Sequence, residues 1–203
     1  VPDPAECGVE PRTPAELARI LDEEGEAADE AAPTGEAAPT VAPRYVPHFG
    51  EPADAATMAA VGAVVRELAA CLNANDLLRV LALFTEDGVR AVDAQAPLGD
   101  PDDLDVVPEP RPASQRIELL AIWEVRRLPN GRVAALVASD DPSAPPVGPD
   151  IERYVVVEAD GRWLIDDVLV AVQDLPGAPA IPMGTPGLPP PPDPTELDEP
   201  VPA

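Results

Sequence analysis

The chain has 203 residues and a formal net charge of −25, and its basic side chains are 13 arginines with no lysine. A surface this acidic repels phosphate backbones and anionic membranes, so nucleic-acid binding is not expected. Of its 30 prolines, eleven fall in the last 28 residues, which leaves room between the flanks for one modest core rather than two.

An opening valine in place of methionine is what a cleaved export signal would leave, and trimming of the chain would leave the same. In an exported protein the two cysteines, Cys7 and Cys71, permit a disulfide; the alternative is a free Cys7 and a small buried hydrophobe at Cys71. Thr13, Pro14 and Glu16 stand as N-cap, first helical residue and N3 glutamate, a capping box that predicts a helix over 13–24. With few apolar residues it should dock weakly at most, so residues 1–50 read as a disordered acidic arm. Within it, 22–43 has linker composition, and Tyr45, Val46 and Phe49 form an apolar strap.

Met58, Val61, Val65, Leu68 and Leu72 recur at spacings of three and four, predicting a helix over 53–73. Asn73-Ala74-Asn75 breaks it, and Asn75 or Asp76 caps a second helix over 77–84 that is apolar almost all round. Thr85-Glu86-Asp87-Gly88 reads as its end, with glycine just past the last turn. Residues 93–115 are rich in proline and aspartate, lack a period and read as an irregular loop. No uninterrupted run of 18 apolar residues occurs, so no membrane span is expected.

Four strands follow, over 116–128, 132–139, 151–158 and 162–172, with Asn130-Gly131 and Asp160-Gly161 as two-residue hairpin turns. The fold class is therefore α+β, with two helices on one face of a curved antiparallel sheet. Its domain spans 51–175, ahead of a disordered Pro-rich tail over 176–203. A two-residue turn at Asp160-Gly161 sets Tyr154 opposite Asp167 and Val155 opposite Asp166. The turn at Asn130-Gly131 puts Ile117, Leu119, Ala121, Trp123, Val125, Leu136 and Ala138 on one face. Both sheet faces then hold apolar residues, and two helices can cover only one. The other is expected to carry a homodimer, unless the arm and strap fold back over it.

The helix broken at Asn73-Ala74-Asn75-Asp76, the apolar helix ending Leu83-Phe84-Thr85-Glu86-Asp87 and the closing Asp160-Gly161-Arg162-Trp163-Leu164-Ile165-Asp166-Asp167 together resemble the SnoaL-like branch of the nuclear transport factor 2-like superfamily. The resemblance covers about 55–172. It implies a cone-shaped interior able to hold a small apolar ligand, in a family of isomerases, cyclases, dehydratases and non-enzymatic modules. Where its ketosteroid isomerases carry a tyrosine and an aspartate, this chain aligns Leu68 and Val92, neither of which can do that chemistry; Asp93 is one position off. Dehydratases of the fold use a pocket histidine, but the only histidine here, His48, precedes the domain. The segment around Cys7 also resembles the N-terminal segments of exported bacterial proteins, which favours a secreted or cell-envelope location.

The residues favour no catalytic constellation. His48 has no G-x-S-x-G partner, and three His and Cys residues far apart cannot make a zinc site. Asp100, Asp102, Asp103 and Asp105 are dense in oxygen, but the EF-hand positions for glycine and glutamate hold Asp105 and Arg111. No metal or cofactor is expected. Tyr154 with Asp166 or Asp167 is the weak acid/base candidate, and Leu68, Trp123, Tyr154, Trp163 and Asp167 are the expected ligand-pocket lining. The expected function is a non-catalytic module that binds a small apolar ligand or a protein, with an isomerase, cyclase or dehydratase as the alternative.

Overall fold

The structure is a computed structural model that describes residues 1–28, 50–100, 104, 106–144 and 149–169, with side chains of the first segment to Asp22. His48, most of the strap and linker, and the Pro-rich tail lie outside the described residues. The fold is α+β. In chain order, a 3-10 turn over Pro4–Glu6 precedes α1 (Pro14–Ala28), β1 (Glu51–Pro52), α2 (Ala55–Ala74), α3 (Leu77–Ala82) and α4 (Glu86–Gln95). β2 (Glu118–Arg127), β3 (Val133–Asp140), β4 (Asp150–Ala159) and β5 (Arg162–Leu169) complete an antiparallel sheet in the order β1-β2-β3-β4-β5.

The first 22 residues are not a disordered arm. Cys7, Val9, Leu17 and Ile20 are buried in the same core as α2 and the sheet. Leu17 and Ile20 lie one turn apart on α1, and their burial stabilises the docked helix by roughly 1.5–3 kcal/mol each. Polar ties hold the segment as well. Arg12 donates to the carbonyls of Leu81 (2.9 Å) and Phe84 (2.6 Å), and Arg90 donates to that of Ile20 (3.1 Å). The capping box is formed, with Glu16 N–H bonded to the Thr13 hydroxyl and Thr13 N–H to the Glu16 carboxylate. The helix runs four residues past the expected 24, into what reads as linker.

α2 starts at the Asp54 cap and ends with Asn75 in the left-handed region (φ 57°), where a short amide side chain is tolerated. Its mean hydropathy reaches 1.6 with Arg66 and Glu67 its only charges, so by length and composition it could cross a membrane. Half of that window is buried inside the fold, the disposition of a core helix. The Arg66-Glu67 pair interrupts its apolar run.

Thr85-Glu86-Asp87-Gly88 begins a helix instead of ending one. Thr85 is the N-cap of α4, its hydroxyl accepting from Gly88 N–H (2.9 Å), with Glu86 and Asp87 in the favourable first turn. Residues 83–85 meet β5 edge-on, Thr85 N–H donating to Ile165 C=O and Ile165 N–H to Leu83 C=O, both at 2.8 Å. This contact explains the glycine, because a Cβ at Gly88 would lie 2.6 Å from the Ile165 carbonyl oxygen. Gly88→Ala should therefore cost about 1–3 kcal/mol, read as a lower urea midpoint. An unchanged midpoint would show that α4 can retreat from β5 freely.

The sheet register departs from two-residue arithmetic in four places. At Asn130-Gly131 the closing bond is Leu128 N–H to Arg132 C=O (2.7 Å), so the loop has three residues, Gly131 at φ 82° supplying the left-handed position. In β2, Leu120 is extruded between the Leu119–Ser139 and Ala121–Ala138 pairs, and Glu124 (φ 51°) with Val125 opposes Ala135 alone. In β5 the pairing holds from Ala159–Arg162 to Val156–Ile165, then slips so that Val155 faces Asp167 and Tyr154 faces Val168. Such bulges re-aim every side chain beyond them. Leu119 and Val125 thereby join Ile122, Val133, Ala135, Val137, Tyr154, Val156 and Ile165 against the helices. Ala121, Trp123, Leu136, Ala138, Ile151, Val155 and Asp167 fall on the opposite face through the cross-strand pairs.

Candidate functional site

The β5 bulge separates the expected acid/base pair. Asp167 pairs with Val155 on the outer face, whereas Tyr154 points into the helix-packed core and is 7% exposed. Asp166 is also committed elsewhere. One of its oxygens accepts from the Thr85 hydroxyl (2.9 Å), the other from Arg132 (2.7 Å). The first bond seats the α4 N-terminus on β5 and the second ties β5 to the start of β3, a structural use for the carboxylate.

The expected pocket lining is likewise split. Leu68, Tyr154 and Trp163 lie on the helix side, where Leu68 is buried and Trp163 packs partly against the core. Trp123 and Asp167 face away from it. The space between helices and sheet is filled by Val61, Val65, Leu81, Val89, Val133, Val156 and Ile165, each at most 2% exposed. Val92 packs partly against this core from α4. Asp93, also on α4 and not on a strand, accepts from Leu98 N–H (2.7 Å) and so fixes the turn after the helix.

Tyr154 finds another partner two residues back on its own strand. Its hydroxyl donates to Glu152 at 2.5 Å, because alternate strand positions share a face. Burial first, then the negative charge and hydrogen bond of Glu152, hold the phenol well above its usual range. The Glu-x-Tyr spacing was visible in the sequence. Proximity along one strand was the signal, overlooked in favour of a cross-strand partner. Because the folded state binds this proton more tightly, it gains stability that is fully present below the ordinary phenol pKa of about 10 and is lost as pH rises through the elevated value. The wild-type minus Tyr154→Phe absorbance difference at alkaline pH should thus show no phenolate until the protein unfolds. Tyr154→Phe should cost about 1 kcal/mol and flatten the alkaline decline. An ordinary titration in the folded protein would refute the bond.

A buried polar junction at the end of α2 was not expected from the sequence. Asn73 is 0% exposed at the end of α2. Its amide donates to the carbonyls of Pro2 (3.0 Å) and Ile117 (3.1 Å), while its side-chain oxygen accepts from Ile117 N–H (2.7 Å). Its backbone carbonyl accepts from Arg111 N–H (2.8 Å). Beside it Cys7 and Cys71 are joined by a disulfide, and Arg79 donates to the Cys7 carbonyl (2.7 Å).

Three of the four clustered aspartates (102, 103 and 105) lie outside the described residues. Among the described residues no group of three metal-ligating side chains is brought together. What the arrangement supplies chemically is a buried hydroxyl bonded to a carboxylate, a fully bonded amide and a covalent brace. Comparison with protein-family models, curated proteins and solved structures finds no match. The chemistry must be argued from the residues.

Proposed function

We propose that the chain is an exported, non-catalytic SnoaL-like module whose cone-type fold presents the outer face of its sheet to a second copy of itself. The observation that carries this reading is the corrected register. It gathers Trp123, Leu136, Ile151, Leu164 and Leu169 on a face where none of them belongs to the helix-packed core. Arg126 and Asp167 share that face in one cross-strand row, so a two-fold pairing can set opposite charges against each other. The segment 1–22 packs on the helix side, so among the described residues it does not cover this face.

Ligand holding is the weaker reading, because Leu68 and Tyr154 of the expected lining lie in the helix-packed core while Trp123 and Asp167 lie on the other face. The enzyme alternative loses its geometric support with the separation of Tyr154 from Asp167. The disulfide suits an oxidising location outside the cytoplasm.

Light scattering and native mass spectrometry of the full chain test the proposal. A dimer is expected, and Leu136→Glu at the centre of the face should weaken it roughly 100-fold while the fold persists. A monomer at every concentration would sink self-association. A monomer carrying a co-purified small mass would favour the ligand-holding reading instead.

A further inference from the structure

The junction around Asn73 also builds a groove. The turn over Pro4–Glu6 forms one wall and the loop carrying Pro108, Pro110 and Arg116 the other, with Ala74, Asp76 and Arg79 between them. The groove is open and holds about 450 Å³, within the range of small binding clefts. Both walls are pinned. The disulfide and the Asn73–Pro2 bond fix the first, and the bond from Arg111 N–H to Asn73 C=O fixes the second. A cleft braced in this way loses little conformational freedom when it is filled.

Of its charged side chains, three are already committed. Asp3 accepts from Ala5 N–H (2.9 Å) and Asp76 from Arg79 N–H (3.1 Å), while Arg79 donates to Cys7 C=O. Arg79 Nε lies 3.3 Å from Asp76 Oδ2, close enough for charge pairing although poorly aligned as a hydrogen bond. Arg116 is different. Its Nε donates to the Arg111 carbonyl (3.3 Å), and its two terminal amino groups have no partner among the described residues. In a chain of net charge −25, a guanidinium fork left unspent inside a cleft is the unusual feature.

The geometry points to a binding site for an extended, proline-containing peptide segment that presents one carboxylate to Arg116. The fork matches a carboxylate in bidentate fashion, and Pro4, Pro108 and Pro110 offer apolar surface to the flanking residues. A free small anion would gain only Arg116 while facing Asp3 and Asp76, which argues for a peptide over a simple ion. The same two aspartates limit the segment to a single charge near the fork. The site uses different residues from the outer sheet face and stands independently of self-association.

Calorimetric titration of the full chain at low salt with an end-blocked, proline-rich hexapeptide carrying one central glutamate tests this. Saturable binding is expected, falling at least about tenfold for Arg116→Gln and for the peptide with glutamine in place of glutamate. Added salt should weaken it, as expected for a partly exposed ion pair. Arg162→Gln, on the distant β4–β5 turn, should leave the affinity unchanged. Should Arg116→Gln fail to fold, Arg116→Lys keeps the charge but loses the fork and should weaken binding several-fold. Absence of saturable binding, equal loss with Arg162→Gln, or acetate binding as tightly as the peptide would each overturn the assignment.

Discussion

Removing the Cys7–Cys71 bridge, by reductant or by the double change Cys7→Ala with Cys71→Ala, should lower the unfolding free energy by about 4 kcal/mol. The bridge closes a loop with a sequence separation of 64, and in the chain-entropy treatment the cross-link acts mainly by restricting the unfolded chain. Single domains are commonly stable by about 5–15 kcal/mol, so this one bond would supply a large share. Urea unfolding with and without reductant is the measurement. The midpoint should fall and the slope should rise, because the reduced unfolded chain exposes more surface. Equal midpoints would mean that the noncovalent ties of the N-terminal segment already restrict the unfolded ensemble.

Those ties decide what the reduced protein looks like. Val9, Leu17 and Ile20 are buried through contacts of their own, and Arg12, Arg79 and Arg90 each grip a carbonyl across the junction. The segment should therefore remain docked after reduction, and the loss should be felt as one cooperative transition at lower urea. The acidic composition that suggested disorder was a poor guide here. It averages over a helix that buries only two large residues fully, and those two occupy adjacent turns of one face.

Much of the fold was legible because its signals are local. The Thr13–Glu16 box, the apolar stripe of α2 and the Asp160-Gly161 turn all act within a few residues, and the structure places each where the sequence puts it, except that Met58 at the head of the stripe is exposed. Bulges are a different kind of event. Whether Leu120 or Asp166 is extruded depends on packing from the far side of the sheet, and each extrusion turns the following residues over. This is why the candidate site scattered, although nearly every strand was found. Tyr154 and Asp167 required correct register across a turn and a bulge, whereas Glu152 required only alternation along one strand. Thr85-Glu86-Asp87-Gly88 was ambiguous for a similar reason. A capping threonine starts a helix and a glycine ends one, and the choice was made by the Ile165 carbonyl, a contact 77 positions away along the chain from Gly88 (165 minus 88). Asn73 carried no pattern at all, since an asparagine near a helix end reads as a breaker.

Asn73→Ala should cost about 3 kcal/mol, which would make it the most damaging single-residue change at the junction apart from loss of the bridge. The amide satisfies Ile117 N–H, Ile117 C=O and Pro2 C=O at a fully buried position, and alanine leaves these groups without their partner. An orphaned buried group carries its full desolvation cost, so the loss exceeds the net worth of the bonds themselves. Asn73→Asp separates donor loss from simple cavity formation. The introduced carboxylate still accepts from Ile117 N–H but cannot donate to either carbonyl, and burial raises its pKa. At neutral pH it should therefore be at least as destabilising as alanine. Since its folded pKa lies above the unfolded one, part of the deficit should disappear as pH falls, when the protonated acid regains one donor. Urea midpoints of the wild type and both variants at neutral and mildly acidic pH check this. If Asn73→Asp shows no relative recovery on acidification, the carboxylate is reaching water, and the junction is less tightly closed than its bonds imply.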